Sequence, residues 1–114
     1  MENKEPELKY ENGYVVIRDV EVKLEEGICA RPAAVIVKWS SRFPNKILLE
    51  KQNKSEYSIA SGRSIMDLMI LEVSKGSKLN LMVQDVPNTN PEDIARKLYA
   101  GLTTEDFYPY LADN

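Results

Sequence analysis

Cysteine and arginine side chains stand two residues apart in the segment Gly27-Ile28-Cys29-Ala30-Arg31-Pro32-Ala33. A glycine can adopt a positive φ and a proline suits the first turn of a helix, so this segment is typical of a turn from a strand into a helix. A thiol and a guanidinium at the N-terminal end of a helix can bind an anion or form a reactive thiolate. The seven residues alone still favour a simpler alternative, an ordinary turn that happens to carry Cys29 and Arg31.

Ser64 stands between a loop of small residues, 60–63, and a second segment with helical character. Serine is a common N-cap residue. Asp67, three residues later, resembles the acidic half of a capping box, with Asp in place of the usual Glu or Gln. We therefore expect a helix to begin directly after Ser64.

This second helix is apolar on nearly every side, with Ile65, Met66, Leu68, Met69, Ile70 and Leu71. One buried face cannot use all of these side chains, so the pattern indicates an exposed apolar patch. The expected core residues are Leu68 and Leu71, and the expected surface residues are Ile65, Met66 and Met69. Methionine suits a binding surface because its flexible thioether adapts to different partners.

The elements that hold these segments follow from periodicity. Residues 15–24 alternate between apolar and charged side chains, which predicts a strand with one buried face. A first helix is predicted over about residues 30–42. Its inward stripe is expected to contain Ala33, Ile36, Val37 and Ser40. Trp39 lies off that stripe, so we expect it at the edge of the helix, partly buried against a neighbouring loop rather than exposed as a contact residue.

The rest of the chain predicts three further strands and a third helix. Residues 46–51 and a short strand around Tyr57 and Ile59 are expected to pair as a hairpin, and residues 78–86 alternate as a fourth strand. Asn90 as N-cap and Pro91 at the first helical position predict the start of the third helix. The order β-α-β-β-α-β-α predicts an α+β two-layer sandwich, with a four-stranded antiparallel sheet and three helices on one face.

The chain of 114 residues is long enough for one domain. We expect a flexible N-terminal extension over 1–13, a folded domain over 14–103 and a C-terminal tail over 104–114. The tail contains Phe107, Tyr108 and Tyr110, and we expect it to fold back on the domain.

The composition excludes several classes of function. A net charge of −3 gives no general electrostatic footprint for nucleic acid, and no apolar run is long enough for membrane insertion. The chain has one cysteine and no histidine, so no internal disulfide, metal site or cofactor is predicted. The N-terminus lacks the pattern of a secretory signal, so we expect a cytoplasmic protein.

Two motifs in this element order, Gly27–Ala33 and Ser64–Met69, strongly resemble the histidine-containing phosphocarrier protein (HPr) family of the bacterial sugar phosphotransferase system. The similarity covers roughly residues 15–102 and implies the open-faced βαββαβα sandwich of that family. In the family, a histidine in the first motif takes a phosphoryl group from enzyme I, and the arginine two residues later helps to hold it. The serine that opens the second helix is phosphorylated by a dedicated kinase, and the apolar residues after it dock partner proteins.

The resemblance assigns roles to residues of this chain. Arg31 matches the arginine that contacts phosphate, and Ser64 matches the regulatory serine. The docking residues correspond to Ile65, Met66 and Met69. Cys29 occupies the position of the phosphoryl-accepting histidine, which is the main departure from the family, and Asp67 and Glu72 occupy positions where the family often has glycine.

The charges around these sites act in opposite directions. The helix N-terminus and Arg31 favour a Cys29 thiolate, whereas Glu26 disfavours it and would repel an incoming phosphate. Cys29 is therefore interpreted as a silent structural thiol, a phosphoryl acceptor or a redox-active thiol. At Ser64, Arg63 and Arg31 offer counter-charge to a phosphate, while Asp67 would repel it.

These features favour a non-enzymatic regulatory protein whose partner binding is controlled by phosphorylation at Ser64. This resembles the family members that lack the histidine and serve only in catabolite regulation. The partners that the resemblance implies are an enzyme I-like protein, a serine kinase and a transcriptional regulator. The alternative function is a phosphocarrier that uses Cys29 as phosphoryl acceptor.

Overall fold

The computed structural model describes residues 5–53 and 55–105 and Leu111. Within these residues the chain forms five strands and three helices. In chain order they are β1 (Lys9–Glu11), β2 (Tyr14–Glu21), α1 (Ala30–Ser40), β3 (Ile47–Asn53), β4 (Glu56–Ser61), α2 (Ile65–Ile70), β5 (Lys78–Gln84) and α3 (Pro91–Leu102).

The strands form one antiparallel sheet in the order β1-β2-β5-β3-β4. Leu81 of β5 pairs with Ile17 of β2 on one side and with Leu49 of β3 on the other, and all three side chains are buried. The same core contains Ile36, Leu68 and Leu98, one from each helix. Because side chains alternate between the two faces of a strand, all three helices cover the same face. The predicted α+β open-faced sandwich is confirmed.

The sheet has five strands rather than the predicted four, because residues 9–11 of the expected flexible extension form β1. This strand pairs with β2 through Asn12 and Gly13, whose φ angles are 52° and 82°. Asn-Gly with two positive φ angles is typical of a tight hairpin turn. The Tyr10 hydroxyl also donates to Glu92 Oε2 at 2.7 Å, which raises the pKa of Tyr10. The prediction failed here because the charged segment lacks an apolar alternation, and backbone pairing holds it instead.

The helices begin close to the predicted positions. The Asn90 side chain accepts the Asp93 N–H at 3.3 Å to cap α3, and Pro91 occupies its first turn. Helix α1 ends at Ser40, two residues before the predicted end. Trp39 is more deeply buried than expected, because its side chain is only 3% exposed. Its ring contacts Phe43, in the loop after α1, edge-on at a centroid distance of 5.2 Å.

The C-terminal tail is described only at Leu111. This side chain is 1% exposed, and a Cβ atom at Gly101 would lie 3.0 Å from its Cγ atom. The absence of a side chain at Gly101 therefore makes room for Leu111 against α3. The predicted contacts of Phe107, Tyr108 and Tyr110 lie outside the described residues.

Candidate functional site

Cys29 is the N-cap residue of α1, and its carbonyl oxygen accepts the Ala33 N–H at 2.9 Å. The side chain is half-buried and makes no capping hydrogen bond. The thiol is instead directed at Glu26, with 3.6 Å between Sγ and Oε1 and the S–H as donor. A carboxylate is therefore within hydrogen-bonding distance of the sulfur. Arg31 is exposed on the first turn of α1.

The loop before Cys29 is fastened to the segment that follows α2. Gly27 has a φ of 68°, and a Cβ atom there would collide with the Val73 carbonyl and lie 2.7 Å from Ser74 Cα. The next residue, Ile28, donates its N–H to the Val73 oxygen at 3.0 Å. Position 27 therefore requires glycine for two reasons, the positive φ angle and the close approach of the backbone at Val73 and Ser74.

Ser64 caps α2, with its Oγ accepting the Asp67 N–H at 3.1 Å. The Ser64 N–H donates to the Ser61 carbonyl at 3.1 Å. The Asp67 carboxylate accepts the Ser61 N–H at 3.1 Å, so the second half of the predicted capping box reaches Ser61 instead of Ser64. These three bonds fix the loop that holds the half-buried Ser64 side chain.

Arg63 was expected to offer counter-charge at Ser64, but it faces the loop after α1. Its guanidinium donates to the carbonyl oxygens of Phe43 and Asn45, the second at 3.3 Å. The Arg63 backbone N–H donates to Ser61 Oγ at 3.1 Å. The side chain therefore holds the loops before β3 and before α2 together.

Helix α2 leaves much of its apolar surface in solvent. The exposed fractions are 45% for Ile65, 69% for Met66, 41% for Met69 and 71% for Ile70, and these four residues are named the α2 patch. Leu68 and Leu71 are buried, so the predicted division between surface and core is confirmed. Ile70 was not among the predicted binding residues. Its position four residues after Met66, on the same side of a helix, was the signal that could have found it.

The C-terminal end of α2 has a cation that the sequence analysis did not find. Lys51 of β3 donates its Nζ to the carbonyl oxygens of Leu71, at 3.2 Å, and of Glu72, at 2.6 Å. A positive charge at this end of a helix is favourable, because the last carbonyl groups have no partner within the helix. Lys51 therefore ties α2 to the sheet below it.

Among the described residues, no group of three or more Asp, Glu or Cys side chains is arranged to hold a metal ion. No helix in this part of the chain is long and apolar enough to cross a membrane. The arrangement thus consists of a half-buried thiol beside a carboxylate, a capping serine, and an apolar surface behind that serine.

Known proteins are similar to this chain in both sequence and fold. Residues 16–90 match the protein-family model described as PTS HPr component phosphorylation site. The chain is 41% identical over 70 residues to HPr-like protein Crh of Bacillus subtilis (strain 168), covering 61% of this chain and 78% of that protein. It is 35% identical over 81 residues to phosphocarrier protein HPr of Treponema pallidum (strain Nichols), covering 71% and 82%.

Two solved structures extend this likeness to the fold. HPr from Bacillus anthracis str. Ames superposes with a TM-score of 0.64 at 31% identity, covering 82% of this chain and 100% of that chain. Crh of Bacillus subtilis, reported as a dimer with a swapped domain, superposes with a TM-score of 0.51 at 30% identity, covering 75% and 94%. With the family model matched over residues 16–90, the chain belongs to the HPr family of the phosphotransferase system, and its Cys29 stands where the family's histidine is expected.

Proposed function

We propose that this chain is a non-enzymatic regulatory protein of the cytoplasm, which binds protein partners of the phosphotransferase system under the control of phosphorylation at Ser64. The observation that carries this proposal is the α2 patch, since its four apolar side chains follow directly after Ser64 and are 41–71% exposed. The proposed partners are an enzyme I-like protein, a serine kinase and a transcriptional regulator. The folded domain, expected over residues 14–103, is proposed to begin at residue 9 instead, because β1 pairs with β2 in the same sheet.

The α2 patch has the composition of a docking surface. Two of its side chains are methionine, whose thioether adapts to pockets of different shape. The chain does not need these side chains for its own core, because Leu68 and Leu71 supply the buried side of α2. Exposed apolar side chains grouped in this way mark interaction sites more often than scattered ones do.

Phosphorylation of Ser64 changes the charge beside the α2 patch. A phosphoserine adds between one and two negative charges and three acceptor oxygens. Asp67 lies on the first turn of the same helix, so the modified protein presents two acidic groups next to apolar side chains. We therefore expect the phosphorylated form to select a partner whose basic side chains surround an apolar pocket.

The contacts of Cys29 favour this binding role over phosphoryl transfer. The thiol donates to Glu26 at 3.6 Å, and a carboxylate at this distance would repel an approaching phosphoryl group. The nucleophilic form of cysteine is the thiolate, which loses this hydrogen bond. Arg31, which the resemblance assigns to phosphate contact, belongs to the alternative carrier function and is exposed on the first turn of α1.

Pull-down assays with the three proposed partners test the docking surface. Met69→Ala should weaken the binding of at least one partner by about 1–3 kcal/mol if Met69 is an anchor. Tyr10→Ala is the matched control, because Tyr10 is 57% exposed but lies on β1, outside the α2 patch. Equal binding of both variants would remove the α2 patch from the proposal, provided that both melt as folded proteins.

Labelled phosphoenolpyruvate with enzyme I tests the alternative carrier function. Wild-type protein should acquire no stable label, whereas Cys29→His should acquire some because it restores the family's acceptor. Robust labelling of the wild type that Cys29→Ala abolishes would establish Cys29 as the phosphoryl acceptor.

A further inference from the structure

The two edges of the sheet differ in how they are protected against pairing with another strand. Strand β1 forms one edge with only three residues, of which Lys9 and Glu11 are charged. Strand β4 forms the other edge with six residues and an unbroken register against β3. It contains neither lysine nor proline, the residues with which proteins commonly blunt an edge. Strand β4 is therefore the open edge.

The hydrogen-bond pattern shows which backbone groups of β4 face outward. Gly62 donates its N–H to the Ile47 oxygen at 2.7 Å, which makes these two residues a hydrogen-bonded pair across the ladder. Such pairs alternate along an antiparallel ladder, so Tyr57, Ile59 and Ser61 occupy non-bonded positions relative to β3. Their N–H and C=O groups point away from the sheet.

Only two of these three residues are available to a new strand. The Ser61 N–H donates to Asp67 Oδ2 and the Ser61 oxygen accepts the Ser64 N–H, so the loop before α2 uses both groups. Among the residues that the structure describes, none hydrogen-bonds to the outward N–H and C=O groups of Tyr57 and Ile59. Their side chains are 55% and 56% exposed, whereas the side chain of Ala60, the next residue along β4, is buried on the helix side of the sheet. Because side chains alternate along a strand, Tyr57 and Ile59 lie on the face opposite the helices.

We propose that β4 pairs with β4 of a second copy of this chain, antiparallel, about a two-fold axis at Ser58. In this register Tyr57 faces Ile59 of the second copy and Ile59 faces its Tyr57. The backbone N–H and C=O groups of Tyr57 and Ile59, four on each copy, then all form hydrogen bonds to the other copy. A register shifted to pair Ile59 with itself would oppose Tyr57 to Ser61, whose groups are already used. The arrangement is thus the one that fits the free groups of this edge.

Side chains and charges agree with that register. The Tyr57 and Ile59 side chains of both copies then form one apolar cluster on the sheet face opposite the helices. Cross-strand pairs of aromatic and β-branched side chains are favourable. Glu56 is the only charged residue of β4 and faces Ala60 of the second copy. The two Glu56 side chains are then separated by four residues along the strand, about 13 Å. No like charges meet across the axis.

The proposed dimer is weak and concentration-dependent. Two exposed side chains and one edge from each copy cover less than the roughly 1,200 Å² of stable interfaces. Sedimentation should therefore follow a monomer–dimer equilibrium over a protein concentration of about 10 μM to 1 mM. Ile59→Lys should shift the dissociation constant at least tenfold, whereas Tyr10→Lys, at 57% exposure on the opposite edge, should not change it.

Cysteine cross-linking tests this register, in a Cys29→Ser background that removes the native thiol. Ser58→Cys should form an intermolecular disulfide, because residues facing each other at a non-bonded position have Cα atoms about 4.5 Å apart. Tyr57→Cys should form no such disulfide, since Tyr57 of one copy faces Ile59 of the other copy and not its Tyr57. Rapid cross-linking of Tyr57→Cys, with none for Ser58→Cys, would overturn this register.

Other contacts of this chain would give different results in these experiments. A monomer at every concentration would overturn the proposal, and loss of a partner protein on Ile59→Lys would then assign the edge to a foreign strand. A dimer that Ile70→Lys dissociates and Ile59→Lys leaves intact would place the contact at the α2 patch. A dimer insensitive to both substitutions and slow to exchange subunits would instead indicate a swapped element.

Discussion

The carboxylate of Asp67 accepts the backbone N–H of Ser61 at 3.1 Å, while the Asp67 N–H donates to Ser64 Oγ at the same distance. One residue therefore holds both ends of the loop that presents Ser64. The phosphorylation site of the proposed function depends on this residue for its shape.

Replacing Asp67 by alanine should destabilise the chain, because the Ser61 N–H loses a charged acceptor. We expect a loss of about 1–2 kcal/mol in the free energy of unfolding by urea. Asp67→Asn keeps an acceptor oxygen and should lose less than half as much. Equal losses in the two variants would show that the side-chain oxygen is not what holds the loop.

Gly27→Ala should be among the most damaging single substitutions in the chain. Its φ is 68° and the added Cβ would collide with the Val73 carbonyl, so we expect a loss of about 2–4 kcal/mol. Gly76→Ala is the matched control, since its φ is 94° but no atom lies within 4 Å of the new Cβ. If both variants unfold at the same urea concentration, the backbone contact contributes nothing beyond the φ angle.

Glu72→Gly should stabilise the protein. Glu72 has a φ of 56° just after α2, a conformation that glycine adopts without a steric penalty. We expect a gain of about 0.5–1 kcal/mol in thermal or urea unfolding. The carbonyl that Lys51 contacts is retained in this variant, so Lys51→Met in either background should still destabilise the helix end. A lower stability of Glu72→Gly would contradict the strain argument.

Much of the fold could be predicted, because local signals agree with the final packing. Ser64 and Asn90 cap helices as the sequence indicates, and the alternation of β2 and β5 forms the core. Strand β1 was missed because its pairing depends on the backbone and not on an apolar pattern. The Asn12-Gly13 turn was its one sequence signal.

The site was less predictable, because its contacts join distant parts of the chain. The apolar excess of α2 correctly indicated an exposed surface. No local pattern could show that Arg63 turns towards Phe43, or that Lys51 reaches the end of α2 from another strand. Periodicity also underestimated the burial of Trp39, whose large ring reaches the core from the side of the helix.

The half-buried thiol of Cys29 should react with iodoacetamide in the native protein. We expect complete modification at a rate below that of the unfolded chain, because Glu26 and the first turn of α1 restrict access to Sγ. Mass spectrometry over time measures the rate, with Cys29→Ser as the control for reaction at other side chains. Modification only in denaturant would show that Cys29 belongs to the core.

The affinity of the transcriptional regulator for the Ser64-phosphorylated protein tests the proposed switch. The protein is treated with a serine kinase that phosphorylates HPr, the modified residue is identified by mass spectrometry, and binding is measured by calorimetry. We expect one phosphate at Ser64 and at least tenfold tighter binding than for the unmodified protein, with Met69→Ala reversing most of the gain and Ser64→Ala remaining unmodified. Stoichiometric phosphorylation of Ser64 with no change in affinity for the regulator, or kinase treatment that leaves Ser64 unmodified, would contradict the proposal.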